Sequence, residues 1–194
     1  MDLKKLENQI NIIKNKLRVG KSDEVIRDTK SLIKKFSDHQ ILYNILSLAY
    51  HQKGENDKSI DLLTNVLKKN PKNIFFLNNM GVSYYNKKNL VEAEYYFKRV
   101  LEINPNYINA LNNLGNLKKD LDLVDEAKNF YRKSVKLNNN VMETHFNLGI
   151  LYQESGDFEK SLYHYKKTLK INPKFTKADS GIANITKYSS KNKH

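Results

Sequence analysis

Apolar residues recur along this chain at helical spacing, in short blocks that come in facing pairs. Leu77, Met80 and Tyr84 stand at i, i+3 and i+7 and put one apolar stripe on a first helix. Ala93, Phe97, Val100 and Leu101 do the same on a second, and two such stripes are buried only against each other. Asn70-Pro71, Asn104-Pro105 and Asn172-Pro173 mark the ends of second helices, because proline lacks the N–H donor and disfavours the helical conformation in the residue before it. At the start Leu3, Leu6, Ile10, Ile13 and Leu17 form a narrow stripe among Lys and Asn. Near the end Phe175, Ala178, Ile182 and Ile185 make one more amphipathic helix.

The blocks are copies of one another. Leu77-Asn78-Asn79-Met80-Gly81-Val82-Ser83-Tyr84, followed by Ala93, Phe97 and Pro105, returns about 34 residues later as Leu111, Leu114-Gly115, Ala127 and Tyr131. It returns again as His145, Leu148-Gly149, Tyr152, Ser161, Tyr165 and Pro173. Backwards, Tyr43, Leu46, Tyr50, Ser59, Leu63 and Pro71 form a fourth copy, and Ile12, Val25 and Leu32 a worn fifth. Gly81, Gly115 and Gly149, with Ala93, Ala127 and Ser161, are small where paired helices come closest.

This pattern resembles the tetratricopeptide repeat family over roughly residues 3–188. The resemblance implies an all-α fold: a right-handed superhelix, or α-solenoid, of about five helix-turn-helix repeats and a C-terminal capping helix. The expected layout is one solenoid domain over 1–188, with repeats at 6–39, 40–73, 74–107, 108–141 and 142–175, a cap at 176–188 and a flexible tail at 189–194. Lys118 in place of a first-helix Tyr, Asn139 in place of proline and Ser47 in place of glycine are local departures.

Composition narrows the function. Among 194 residues there is no cysteine, which excludes a disulfide framework, a thiolate metal site and a cysteine nucleophile. The first twenty residues scatter Lys through any apolar run and do not read as a secretory signal, and nothing approaches a membrane span. A cytoplasmic protein, monomeric or weakly self-associating, is expected. No phosphate-cradling glycine loop, HExxH pair or GxSxG elbow occurs, so no catalysis, metal or cofactor is expected. The net charge of +13 raises the question of nucleic acid. However, Lys98-Arg99, Arg132-Lys133 with Lys136, and Lys166-Lys167 with Lys170 map to the outer side of second helices, which leaves weak contact through a convex basic face as the minor reading.

In tetratricopeptide proteins the first helices line the groove, and the resemblance places the candidate site there. The function implied is a scaffold holding a peptide or protein segment. Asn79, Asn113 and Asn147 recur one repeat apart and would present a ladder of amides able to grip a peptide backbone, with Asn78, Asn112, Asn116, Tyr85, Phe146 and Lys119 beside them. The ladder resembles the one in the nucleocytoplasmic N-acetylglucosamine transferases. The competing reading is that these amides tie neighbouring helices together. The Lys and Arg positions of a carboxylate clamp for chaperone tails hold Asn44, Asn78, Asn112 and Phe146 instead. Ala183-Asn184-Ile185-Thr186-Lys187-Tyr188-Ser189-Ser190 resembles the junction after the repeats in bacterial tetratricopeptide-sulfotransferase proteins, so a substrate-recognition module of a transferase is the alternative function.

Overall fold

The structure, a computed structural model, describes residues 3–191, with side chains from 4 to 187. All its regular structure is α-helical. Five helix pairs follow in order: α1 (Leu3–Arg18) with α2 (Ser22–Lys35), α3 (Gln40–Gln52) with α4 (Asn56–Lys69), α5 (Ile74–Asn86) with α6 (Leu90–Ile103), α7 (Ile108–Asp120) with α8 (Val124–Leu137), and α9 (Met142–Glu154) with α10 (Phe158–Ile171). A single helix, α11 (Thr176–Lys191), comes last. First helices begin at 40, 74, 108, 142 and 176 and second helices at 22, 56, 90, 124 and 158, so one 34-residue period runs through both series.

The turn inside each pair passes through one residue with left-handed backbone. These residues are Gly20, Gly54 and Gly156, and, at the same register, Lys88 with φ 61° and Asp122 with φ 57°. Glycine takes this conformation without a Cβ clash, whereas lysine and aspartate bear a modest steric cost. Asn73, Asn89 and Asp157 cap the starts of α5, α6 and α10 with side-chain oxygens that accept from backbone N–H groups.

Within pairs the seam is tight. A Cβ on Gly81 would stand 2.5 Å from the Phe97 ring, and Gly115 and Gly149 are closed in the same way by Tyr131 and Tyr165. Gly181 of α11 meets the other edge of Tyr165. Each ring is sixteen residues after its glycine, and burying it contributes roughly 1.5–3 kcal/mol. In the second pair the same two slots hold Ser47 and Leu63, and in the first Ile13 and Thr29. Volume thus moves from one helix to the other while the sum stays near constant, as close packing requires.

The chain divides into two compact units at Pro105 and Asn106. In unit 1, α1 packs on α2 and α3, and α3 on α4 and α5, so first helices stand side by side. Its apolar core runs from Leu6, Ile10, Ile13, Val25 and Leu42 to a second cluster of Leu63, Phe76 and Met80. In unit 2, α11 packs on both α9 and α10, where Phe175, Ala178, Ile182 and Ile185 close over Tyr165. Helix α11 runs to Lys191, past the start of the stretch expected as a tail, since nothing between Lys187 and Lys191 breaks a helix. The rest of that stretch, 192–194, lies outside the described residues.

Lys118 is 7% exposed in the slot expected for tyrosine. Its stem fills the apolar site and its ammonium reaches Glu126 at 3.2 Å.

Candidate peptide-binding walls

In unit 1 the wall is built from α3 and α5. The Asn79 side-chain N–H group donates to Asn44 Oδ1 at 2.7 Å and to Ser47 Oγ at 2.8 Å, so both of its protons are used inside the protein. Asn79 is 5% exposed and Asn78 is buried beside it, whereas the ladder reading expects amides facing solvent. The reason is register: Asn44 and Ser47 on the preceding first helix face Asn79 diagonally, and a buried amide takes whatever acceptors it meets. Tyr85 is half-buried, with the Lys88 ammonium 5.8 Å from its ring centroid. Beyond the amides, His51 Nε2 lies 2.7 Å from Ser83 Oγ and 3.1 Å from Ser59 Oγ. Burial pushes this imidazole down to about 4, with a hydrogen bond to the Asn79 backbone opposing the shift. Ser59 and Ser83 are fully buried, so this serine–histidine contact is structural and not an exposed nucleophile.

In unit 2 the wall is built from α7 and α9. Asn116 Oδ1 accepts from the Tyr131 hydroxyl at 2.6 Å and from the Asn147 side-chain N–H at 3.1 Å. Asn112 Oδ1 accepts from the Thr144 hydroxyl at 2.8 Å. Two carbonyls are therefore pinned by the neighbouring helices, which fixes the orientation of the Asn112 and Asn116 amides. Asn113 and Lys119 are half-buried on the same helix. Phe146 is half-buried against Phe175, edge to face at 4.9 Å, and against Tyr165 at 5.9 Å, which anchors it to the C-terminal cluster.

The structure thus brings Asn112, Asn116 and Asn147 together in one unit and Asn78 and Asn79 in the other. Sequence reasoning named Asn44, Ser47 and Tyr131 without their hydrogen bonds to the amides, and it missed Thr144 altogether. These partners lie 32 to 35 residues before or after the amides, or across the helix pair, so polar residues recurring near the repeat period were the available signal. Among the described residues no three His, Asp or Glu side chains gather as metal ligands, and no helix is long and apolar enough to cross a membrane.

Comparison with known proteins agrees with this architecture. Family models of the tetratricopeptide repeat match residues 74–107 and 143–175, and a second model of the same repeat matches 108–141, together just over half of the chain. The chain belongs to the tetratricopeptide repeat family, whose repeats in general serve as protein-interaction scaffolds. Among solved structures, a thermophilic TPR protein of Thermus thermophilus is similar at 17% identity with a TM-score of 0.79, over 93% of this chain and 98% of that one. MamA is similar at 23% identity with a TM-score of 0.67, over 75% of this chain and 85% of that one. No curated protein sequence matches the chain.

Proposed function

We propose that the chain is a protein-interaction scaffold that holds an extended peptide segment against the first helices of its units, with Asn112, Asn113, Asn116, Asn147, Phe146 and Lys119 serving in unit 2 and Asn78, Asn79 and Tyr85 in unit 1. One observation carries this reading. Asn112 and Asn116 have their carbonyl oxygens fixed by Thr144, Tyr131 and Asn147, which orients their N–H groups before any ligand arrives. Side-chain donors that need no reordering lose less entropy on binding, and peptide carbonyls are the natural acceptors for them. In unit 1 the used protons of Asn79 leave its Oδ1 as the ligand group, suited to a peptide N–H. A scaffold of this kind has no chemistry of its own, and the setting proposed for it is the cytoplasm.

The test is a pair of nearly isosteric changes. Asn112→Asp with Asn116→Asp keeps the pinned oxygens and removes the free N–H donors. Peptides selected from a random displayed library would be measured by calorimetry on wild type and double variant. Two lost hydrogen bonds should weaken binding by about 1–3 kcal/mol with helicity unchanged. Equal affinity for both proteins would reject these amides as ligand contacts.

A further inference from the structure

The fifth helix pair departs from its neighbours at one corner. The loop before α5 has Pro71, α5 has Leu77 as its fourth residue and α6 has Tyr96 as its seventh; one repeat on, the same slots hold Pro105, Leu111 and Phe130. In the next repeat they hold Asn139, His145 and His164. Three apolar residues have become polar, and the fold brings all three together. His145 Nδ1 lies 2.9 Å from His164 Nδ1, and His145 Nε2 lies 3.0 Å from Asn139 Oδ1 and 3.2 Å from the Asn139 backbone carbonyl. That carbonyl can only accept, so His145 holds its proton on Nε2, its Nδ1 accepts, and His164 donates from Nδ1. Both imidazoles are buried. A buried polar corner is less favourable than the proline and apolar side chains that fill it in the two preceding repeats, and such breaks of a local rule gather where a protein functions.

The corner opens on a pocket of about 530 Å³ lined by Asn139, Asn140, Lys167, Lys170 and Ile171. No carboxylate lines it. Among the described residues neither Lys167 nor Lys170 forms an ion pair, and the Lys167 ammonium rests 5.6 Å from the Tyr163 ring centroid. Two uncompensated ammonium groups one turn apart, with two side-chain amides across from them, make a donor set for oxygen anions.

We propose that this pocket is an oxyanion site, in which Lys167, Lys170, Asn139 and Asn140 hold a phosphoryl or carboxylate group and the His145–His164 pair behind Asn139 links occupancy to protonation. The groups facing the pair are Tyr152, stacked on His164 at 5.5 Å, Tyr163 edge-on at 5.1 Å, and Lys167; Lys128 and Lys160 lie over Tyr152. All are neutral or cationic. Burial, and for His145 also Lys167, holds both imidazoles below their ordinary value, so an anion in the pocket is the negative charge that would favour an imidazolium. Binding therefore tightens as pH falls.

The experiment is an NMR titration of the whole chain with inorganic phosphate at neutral pH, with sulfate between pH 5 and 8, where its own charge is constant, and with a tetraglutamate peptide, each against sodium chloride at equal ionic strength. Phosphate and sulfate should shift the Asn139, Asn140, Lys167 and Lys170 signals saturably, and sulfate should bind several-fold tighter at the acid end. Lys167→Gln with Lys170→Gln should weaken binding about tenfold or more, while Lys133→Gln with Lys136→Gln on α8 should not. His145→Leu with His164→Phe, which copies Leu111 and Phe130, should still bind but lose the pH dependence. Tighter binding of the peptide than of phosphate would assign the source as a carboxylate-bearing segment, and the reverse a phosphoryl group. Equal shifts with chloride, or an equal loss in the α8 variant, would overturn the site. Unchanged pH dependence in the histidine variant would overturn the linkage.

Discussion

The seam between α3 and α4 and the seam between α7 and α8 occupy the same register, yet they are held together differently. In the second, Gly115 lies under the Tyr131 ring and Ala127 is the small residue of the partner helix; contact is van der Waals and very close. In the first, Ser47 and Leu63 take the glycine and ring slots, Ser59 takes the alanine slot, and His51 is bonded to Ser59 and to Ser83 of the next helix. Shape dominates one seam, where a single hydroxyl bond to Asn116 accompanies the ring, and hydrogen bonds dominate the other. A packed seam should fail when volume changes, and a bonded seam when a proton is added.

The largest effect should come from emptying the packed seam. Tyr131 is fully buried, so Tyr131→Ala leaves a cavity under Gly115 and should destabilise the protein by about 3–5 kcal/mol in urea unfolding. A loss under about 1 kcal/mol would show that the α7/α8 seam is not tight.

Overfilling the same seam comes next. Gly115→Ser adds a side chain where the Tyr131 ring already stands and should cost about 2–3 kcal/mol, despite the better helix propensity of serine. Adding Tyr131→Leu to it reproduces the Ser47 and Leu63 arrangement. The double variant should be more stable than the sum of its parts predicts, by about 0.5–3 kcal/mol. Simple additivity would mean that the two slots do not exchange volume.

These seams also show what could be read from residues alone. The period, the helix pairs and the small residues at Gly81, Gly115 and Gly149 were legible, because apolar spacing and glycine placement are local patterns. That each glycine meets a ring sixteen residues on was not, since the hairpin geometry decides it. The left-handed turns at Lys88 and Asp122 were hidden because glycine, their usual mark, is absent there. For the candidate site, the recurring amides were legible and their burial and bonding were not. Whether Asn79 faces solvent depends on Asn44 and Ser47, a whole repeat away.

Acid is the lever for the bonded seam. Burial pushes His51 down to about 4 from an ordinary value near 6.5, so the folded state holds it neutral while the unfolded chain takes up a proton. Its contribution to stability is fully present above about pH 6.5 and is lost as pH falls through about 4. Between pH 7 and pH 5 the loss should be about 2 kcal/mol. His145 and His164, whose values burial also lowers, add to acid sensitivity in the other unit, so the quantity to compare is the difference between wild type and His51→Gln. The variant should show the shallower decline in urea midpoint. Parallel declines would remove His51 as the titrating group.

The smallest effect separates packing from hydrogen bonding inside the packed seam itself. The Tyr131 hydroxyl donates to Asn116 Oδ1, which also accepts from Asn147, so Tyr131→Phe keeps the ring under Gly115 and removes one of two donors to that oxygen. Asn116 stays partnered by the Asn147 N–H. The cost should therefore be only the net value of one hydrogen bond, about 0.5–1.5 kcal/mol, against several for Tyr131→Ala. The same change loosens the carbonyl that orients the Asn116 N–H group in the proposed wall. Peptide affinity should then fall slightly, while the urea midpoint drops by far less than in Tyr131→Ala. If Tyr131→Phe costs as much stability as Tyr131→Ala, the α7/α8 seam is held by the hydroxyl and not by the ring, and the distinction between a packed and a bonded seam collapses.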